Sequence, residues 1–182
     1  MHNPNSYNDN DIKTIQYQLQ KTTINIIGIT KKCIHNKPMV ILLKPILESN
    51  NFHTAVINPL WLSCPYLHKQ IHTLESNGYI KKIEEFINSD KLLQKKMIAA
   101  HVNFYYFRKM ICQKFLPDYY NISLLDSGIG GIKDLNFIKC LHLHVAHKSI
   151  FNNNVAGNIT ELLLDNNIYC KKGTCENDNN RK

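Results

Sequence analysis

The chain has 182 residues, 43% of them hydrophobic and 20% charged, which suits a single domain whose core needs no disulfides. A formal charge of +8 and a pI near 9.1 favour anionic partners, although the wealth of Asn, Ile and Lys also fits an AT-rich coding sequence. Residues 1–11 are polar with no apolar signal region, and no apolar run approaches the ~20 residues of a membrane span, which excludes secreted and membrane-spanning readings and makes the cytoplasm the expected setting.

Residues 1–10 are expected to be disordered. Asp11 then suits the cap of a short helix carrying Ile12, Ile15 and Leu19 at helical spacing. The β-branched stretch 22–30 reads as a strand ending at Lys31-Lys32-Cys33. A second apolar run covers 38–47, with Pro45 at its end, and Asn36-Lys37 between the two suits a tight turn. Residues 52–62 form a third extended segment, interrupted at Asn58-Pro59. Short loops between the three favour a small antiparallel sheet.

The character then switches to helix. Pro65 fits the first helical position and makes Cys64 the expected N-cap, where the helix dipole should lower its thiol pKa. Leu67, Ile71 and Leu74 are the buried stripe, and Asn77-Gly78 is a stop. His68, His72 and Glu75 have a spacing able to hold a metal, but a solvated face is the preferred reading. Residues 79–87 form a second helix. Asp90 opens a long third one reaching about Phe115, before Pro117, on which His101, Tyr105 and Arg108 recur at i, i+4, i+7.

After a loop at 117–127 comes Ser127-Gly128-Ile129-Gly130-Gly131. Glycines before a helix can cradle a phosphate, with Lys133 and Lys139 near, but a P-loop or dinucleotide fingerprint is missing and a plain tight turn fits better. Residues 139–147 then pack one thiol and three imidazoles into nine positions. At about 100° per residue, Cys140, His144 and His147 share a helix face, while His142 points nearly opposite, toward Asp134 or solvent. The bland alternative is that Ile138, Leu141 and Val145 are the buried stripe and the histidines border it. Thr160 is the expected cap of a last helix through Leu164, Cys170 and Cys175 close a Cys-x4-Cys loop, and 176–182 is a polar tail. The whole reads as one α+β domain over 11–175, a sheet of about three strands followed by four to five helices.

Several separated blocks together resemble the DUF501 family, bacterial proteins of unknown function. They are Trp61-Leu62-Ser63-Cys64-Pro65 running into Leu74-Glu75 and Gly78; His101, Tyr105 and Arg108; Gly130-Gly131 leading to Lys139 through His147; and, more loosely, Lys32-Cys33 with Pro38. The resemblance runs from about Ile12 to the last Cys pair. The chain departs from the pattern in reading Gln20-Lys21 for Gly-Arg, Lys32 for Arg and Asn36 for Gly, and Lys does not replace a bidentate Arg. The family implies no activity.

Three functions compete. The first is metal binding, zinc or an iron–sulfur cluster, with ligands drawn from Cys33, Cys64, Cys140, His144, His147, Cys170 and Cys175; Cys112 is left to the core. The second is a thiol enzyme acting on a phosphorylated or other anionic small molecule. There Cys64 or Cys140 is the nucleophile, a histidine such as His101 the base, and Arg108, Lys139 or the Gly130-Gly131 amides the anion holders. The third is a basic RNA- or phosphate-binding module using Lys31-Lys32, Lys81-Lys82, Lys95-Lys96, Arg108-Lys109 and Lys171-Lys172, pairs scattered rather than gathered.

Overall fold

The computed structural model describes residues 7–49, 52–115, 126–165, 167–173 and 175; the expected tail at 176–182 and most of the loop expected at 117–127 lie outside them. Among the described residues the order is α1 (Asp9–Leu19), β1 (Ile26–Lys32), β2 (Pro38–Leu43), β3 (Ile46–Ser49), β4 (Phe52–Ala55), β5 (Leu60–Leu62), α2 (Pro65–Ser76), α3 (Tyr79–Ser89), α4 (Lys91–Phe115), a 3-10 turn (Ile129–Gly131), α5 (Leu141–Lys148) and α6 (Val155–Leu163). This is the expected α+β class, a three-stranded antiparallel sheet followed by helices; among the described residues there are six α-helices, α1 before the sheet and five after it, where a bundle of four to five was expected. Among the described residues no helix is long and apolar enough to cross a membrane.

Strand β2 is the centre. All six of its residues are buried, the pattern of a strand covered on both faces. It pairs antiparallel with β1 and β5, so that Ile41 lies between Ile29 and Trp61. Alternate side chains feed two cores. Val40 and Leu42 join Leu67, Ile71, Phe104 and Leu141 of the helices, while Ile41 and Leu43 join Ile15 of α1 with Ile26 and Ile29 of β1. The sheet is therefore a middle layer between α1 and the helical bundle. At the β1–β2 turn Asn36 takes φ 58°, a left-handed conformation that Asn tolerates, and the Cys33 N–H donates to Lys37 O at 2.8 Å.

Where the structure differs, a local reason is visible. The third extended segment divides: β4 pairs with β3 in a separate two-stranded sheet, and only β5 joins β2. Pro45 has no N–H to continue the β2 ladder, and the chain leaves the sheet there. Helix α1 begins earlier than expected because Asn8 is its N-cap. Asn8 Oδ1 accepts the Asp11 N–H at 2.9 Å and Asp11 returns the bond to Asn8 N–H, a capping box, so residues 9 and 10 are helical. Helix α6 begins at Val155, capped by Asn154 rather than Thr160, whose hydroxyl instead donates to Ala156 O at 2.7 Å inside the helix.

Candidate metal centre and a buried histidine cluster

Helix α5 starts at Leu141. Cys140 is its N-cap, with an extended backbone (φ −162°), and so stands off the helix face that carries His144 and His147. The expected Cys140–His144–His147 stripe thus divides into two groups. Cys140 meets His142 and, from α2, Glu75: sulfur, ring nitrogen and carboxylate oxygen all lie within 4.8 Å of one another. His142 Nδ1 is 3.1 Å from Glu75 Oε1 and 3.5 Å from Cys140 Sγ. Its Nε2 lies 3.1 Å from the His68 carbonyl, which can only accept. The Nε2 therefore carries a proton, and Nδ1 faces the carboxylate and the sulfur, to which it donates when protonated and presents a lone pair when not.

Two expectations are corrected here. His142 turns toward α2 rather than toward Asp134 or solvent. On the face expected to be solvated His68 and His72 do stay exposed, but Glu75 is half-buried and joins the site, and the His68 ring lies 4.2 Å from that of His142. Glu75 also accepts the Leu141 N–H at 2.6 Å, at the positive end of α5. Burial pushes the Cys140 thiol up, and the adjacent Glu75 carboxylate pushes the same way.

The second group is buried. His101 of α4 meets His144 of α5, with His147 and, further along α4, Arg108 nearby in the core; the three imidazoles are at 0% exposure and Arg108 at 1%. Among the described residues the two stripes touch at one pair, His101 and His144. His101 and His144 contact edge to face with ring centroids 5.6 Å apart, and His147 stacks on Phe151 at 4.7 Å. Arg108, for which surface snorkelling was the alternative, instead donates from Nη1 to Ile57 O at 3.0 Å and from Nη2 to Ser127 O. Burial lowers the His101 pKa to about 4, helped by the Arg108 charge. It lowers His147 to about 3 and holds His144 well below the usual range, each pressed further by its neighbouring imidazoles.

Hydrogen bonds set the tautomers. The Ile129 N–H donates to Nδ1 of His101 at 3.0 Å. Asn154 Oδ1 takes the Gly157 N–H at 2.8 Å, which turns Asn154 Nδ2 toward Nδ1 of His147 (3.0 Å) and of His144 (3.2 Å). Neutral His101 and His147 thus carry hydrogen on Nε2 and have no lone pair there for a metal, which speaks against His147 as a ligand. His144 Nδ1 also lies 3.3 Å from Asn154 Oδ1 and fits either tautomer. The Nε2 atoms of all three rings have no hydrogen-bond partner among the described residues.

Of the thiols, Cys64 is the N-cap of α2 as expected, but burial outweighs the helix dipole and pushes its pKa up rather than down. Cys112 is buried on α4. Cys33, Cys64, Cys170 and Cys175 gather at one end of the sheet. Cys33 opens the β1–β2 turn, Cys64 follows β5 with its N–H on Met39 O, and the 170–175 loop docks on the turn through His35 Nε2 and Cys170 O, 2.8 Å apart. Among the described residues no three of these four sulfurs lie within 4.8 Å of one another.

The glycine stretch is a tight turn. Gly130 donates its N–H to Asn58 Oδ1 at 2.9 Å and Gly131 to Gly128 O at 3.0 Å, both glycines at positive φ, so these amides are spent within the protein. Lys139 packs its side chain against Gly130. The scattered basic pairs are partly neutralised, Lys31 by Glu161, Lys32 by Asp11, Lys81 by Glu85 and Lys109 by Asp126.

Three residues of these groups escape a reading of spacing alone: Glu75 and His142, which meet only through the packing of α2 on α5, and Asn154. The Asn154-x-x-Gly157 cap was the available signal. In comparisons with known proteins, the family model described as "Protein of unknown function (DUF501)" matches residues 29–161, so Ile12 and the Cys170/Cys175 pair fall outside the match. No curated protein and no solved structure matches the chain.

Proposed function

The chain belongs to the DUF501 family, and since that family carries no assigned activity we propose a function from its residues: it binds a divalent metal ion, zinc first, through Cys140 Sγ, His142 Nδ1 and a Glu75 carboxylate oxygen. The observation that carries the reading is three lone-pair atoms within 4.8 Å, with the far nitrogen of the histidine bonded to a backbone carbonyl. Such a bond is the usual way a metal-ligating histidine is fixed in tautomer and orientation. Without a cation, only shared protons offset the crowding of these acceptors; a divalent ion replaces them. A thiolate, an imidazole and a carboxylate are the donors zinc takes, and three protein ligands leave a fourth position for water or substrate.

A second metal reading has its own support. The 170–175 loop docks on the β1–β2 turn and brings Cys33, Cys64, Cys170 and Cys175 to one end of the sheet, the thiol set of a zinc or iron–sulfur site, although no three of their sulfurs lie within 4.8 Å of one another. The thiol-enzyme reading loses ground because Cys64 and Cys140 are both pushed up in pKa, away from the thiolate.

The test is elemental analysis with a UV–visible spectrum on protein purified without oxygen, repeated on Cys140→Ser, His142→Ala, Cys33→Ser and Cys175→Ser. About one equivalent of zinc that disappears with Cys140→Ser and His142→Ala supports the Glu75 site. Metal lost only with Cys33→Ser and Cys175→Ser assigns it to the four thiols. Folded protein that takes up no added zinc, or that keeps all its metal in every variant, overturns both.

A further inference from the structure

Helix α4 turns Met97, Phe104 and Ile111 to the core, and its opposite face, which a surface helix normally makes polar, carries an apolar stripe. Leu92, Ala99, Val102, Tyr106 and Met110 are all exposed there, Tyr106 at 64%. At about 100° and 1.5 Å per residue they fall within about 80° of arc along roughly 27 Å of helix. Val102 and Tyr106 also form one wall of a cleft of about 360 Å³, closed by Tyr105, Leu135 and the turn at 127–128. Gln94 Nε2 donates to Asn136 Oδ1 at 2.9 Å, which holds the loop carrying Leu135 against the helix. We propose that this face docks an acidic amphipathic helix of a partner protein, whose apolar side chains cover the stripe and enter the cleft while its carboxylates meet the bordering lysines.

Charge selects the occupant. Helix α4 contains five lysines, one buried arginine and no acidic residue. On the helical wheel Lys91 and Lys109 border the stripe on one side, Lys96 and Lys114 on the other, and Lys95 lies within it. Lys109 is 3.7 Å from Asp126, the one acid in the cleft lining. Among the described residues Lys91, Lys95, Lys96, Lys114 and, in the cleft, Lys133 have no ion-pair partner. A second copy docked through the same face would set lysine against lysine, which disfavours self-association. An anionic bilayer would answer the lysines but leave the recess unfilled, and a nucleic acid would leave the aliphatic stripe in water. A helix with Leu or Phe along one face and Asp or Glu beside them satisfies both features. Aromatic or aliphatic anchors seated in a dry pocket carry most of the affinity of such an interface. The surface uses no residue of the proposed metal centre.

The probe is a fluorescently labelled amphipathic peptide of about 20 residues, Leu and Phe on one helix face and Glu on the others, followed by anisotropy as the full-length protein is titrated in with chelator present. The expected result is saturable binding, at least about tenfold tighter than that of the same residues scrambled, lost when Lys replaces Glu in the peptide, and weakened as the salt rises from about 0.05 to 0.5 M. Tyr106→Ala should weaken it roughly tenfold, and Lys95→Glu with Lys96→Glu at least as much. If Tyr106→Ala lowers the melting temperature, Val102→Gln and the double lysine reversal decide. No saturable binding, equal binding of the scrambled peptide, or affinity unchanged in these variants would overturn the proposal. So would a preference for phosphatidylglycerol vesicles or single-stranded RNA over the peptide, or a dimer that disappears with Tyr106→Ala.

Discussion

Asn154 joins two helices through one amide: its Oδ1 caps α6 at Gly157 N–H (2.8 Å) while its Nδ2 reaches Nδ1 of His147 in α5 at 3.0 Å. Loss of an N-cap alone costs about 1 kcal/mol. Asn154→Ala also orphans buried ring nitrogens, so urea denaturation should show a loss nearer ~2–4 kcal/mol. A loss at the level of a simple cap would mean that the imidazole contacts contribute nothing.

Gly157 gives a second check, because its sign runs against helix propensity. Replacing an interior helical glycine with alanine normally gains up to about 1 kcal/mol. Here the added Cβ would meet the His144 carbonyl oxygen at 2.6 Å, a backbone atom that cannot swing aside. Gly157→Ala should destabilise by ~1–3 kcal/mol in thermal or urea melts. A more stable variant would show that α5 and α6 do not pack this closely.

Acid sensitivity follows from the three buried imidazoles. Their pKa values are depressed in the folded state, to about 4 for His101 and about 3 for His147, so below the usual 6.5 the unfolded chain binds protons that the folded one refuses. The stability is fully present above pH 6.5 and falls as the pH drops toward 4. His101 alone accounts for roughly 3 kcal/mol across that window at about 1.4 kcal/mol per unit. Urea midpoints from pH 7.5 to 4.5 should fall steeply below 6.5, and less steeply in His147→Phe.

The Cys64 thiol should be slow toward iodoacetamide near pH 7, because burial pushes its pKa up despite its place at a helix start. Peptide mapping after brief labelling should find it modified far less than in urea-unfolded chain. Fast labelling of Cys64 in the native protein would restore it as a nucleophile.

Much of this architecture is legible in the residues themselves. Cys64-Pro65 marks the start of α2, Asn77-Gly78 its end, and Asp90 opens α4 by accepting the Leu92 and Leu93 N–H groups. These are local events, decided within a turn of chain. Spacing also raises a meeting of the two polar stripes as an even alternative, and His101 and His144 are where they touch. What it misses is set at a distance or by one residue of phase. Helical periodicity continued back to Cys140 puts its thiol with His144, whereas its extended backbone aims it at Glu75, a residue 65 positions earlier in the chain. The thiol pKa of Cys64 fails for a similar reason: the dipole is read from sequence, but burial belongs to the packed whole.

The two-faced strand β2 has a consequence for any fragment cut to the matched residues of this chain. The family's matched residues, 29–161, contain Ile29, Ile41 and Leu43, but the helix that covers them, with Ile15 at 0% exposure, precedes the match. Each such aliphatic side chain is worth about 1.5–3 kcal/mol when removed from water. In this chain a fragment cut to the matched residues would therefore leave one side of its sheet bare, because the helix that covers Ile29, Ile41 and Leu43 lies before residue 29.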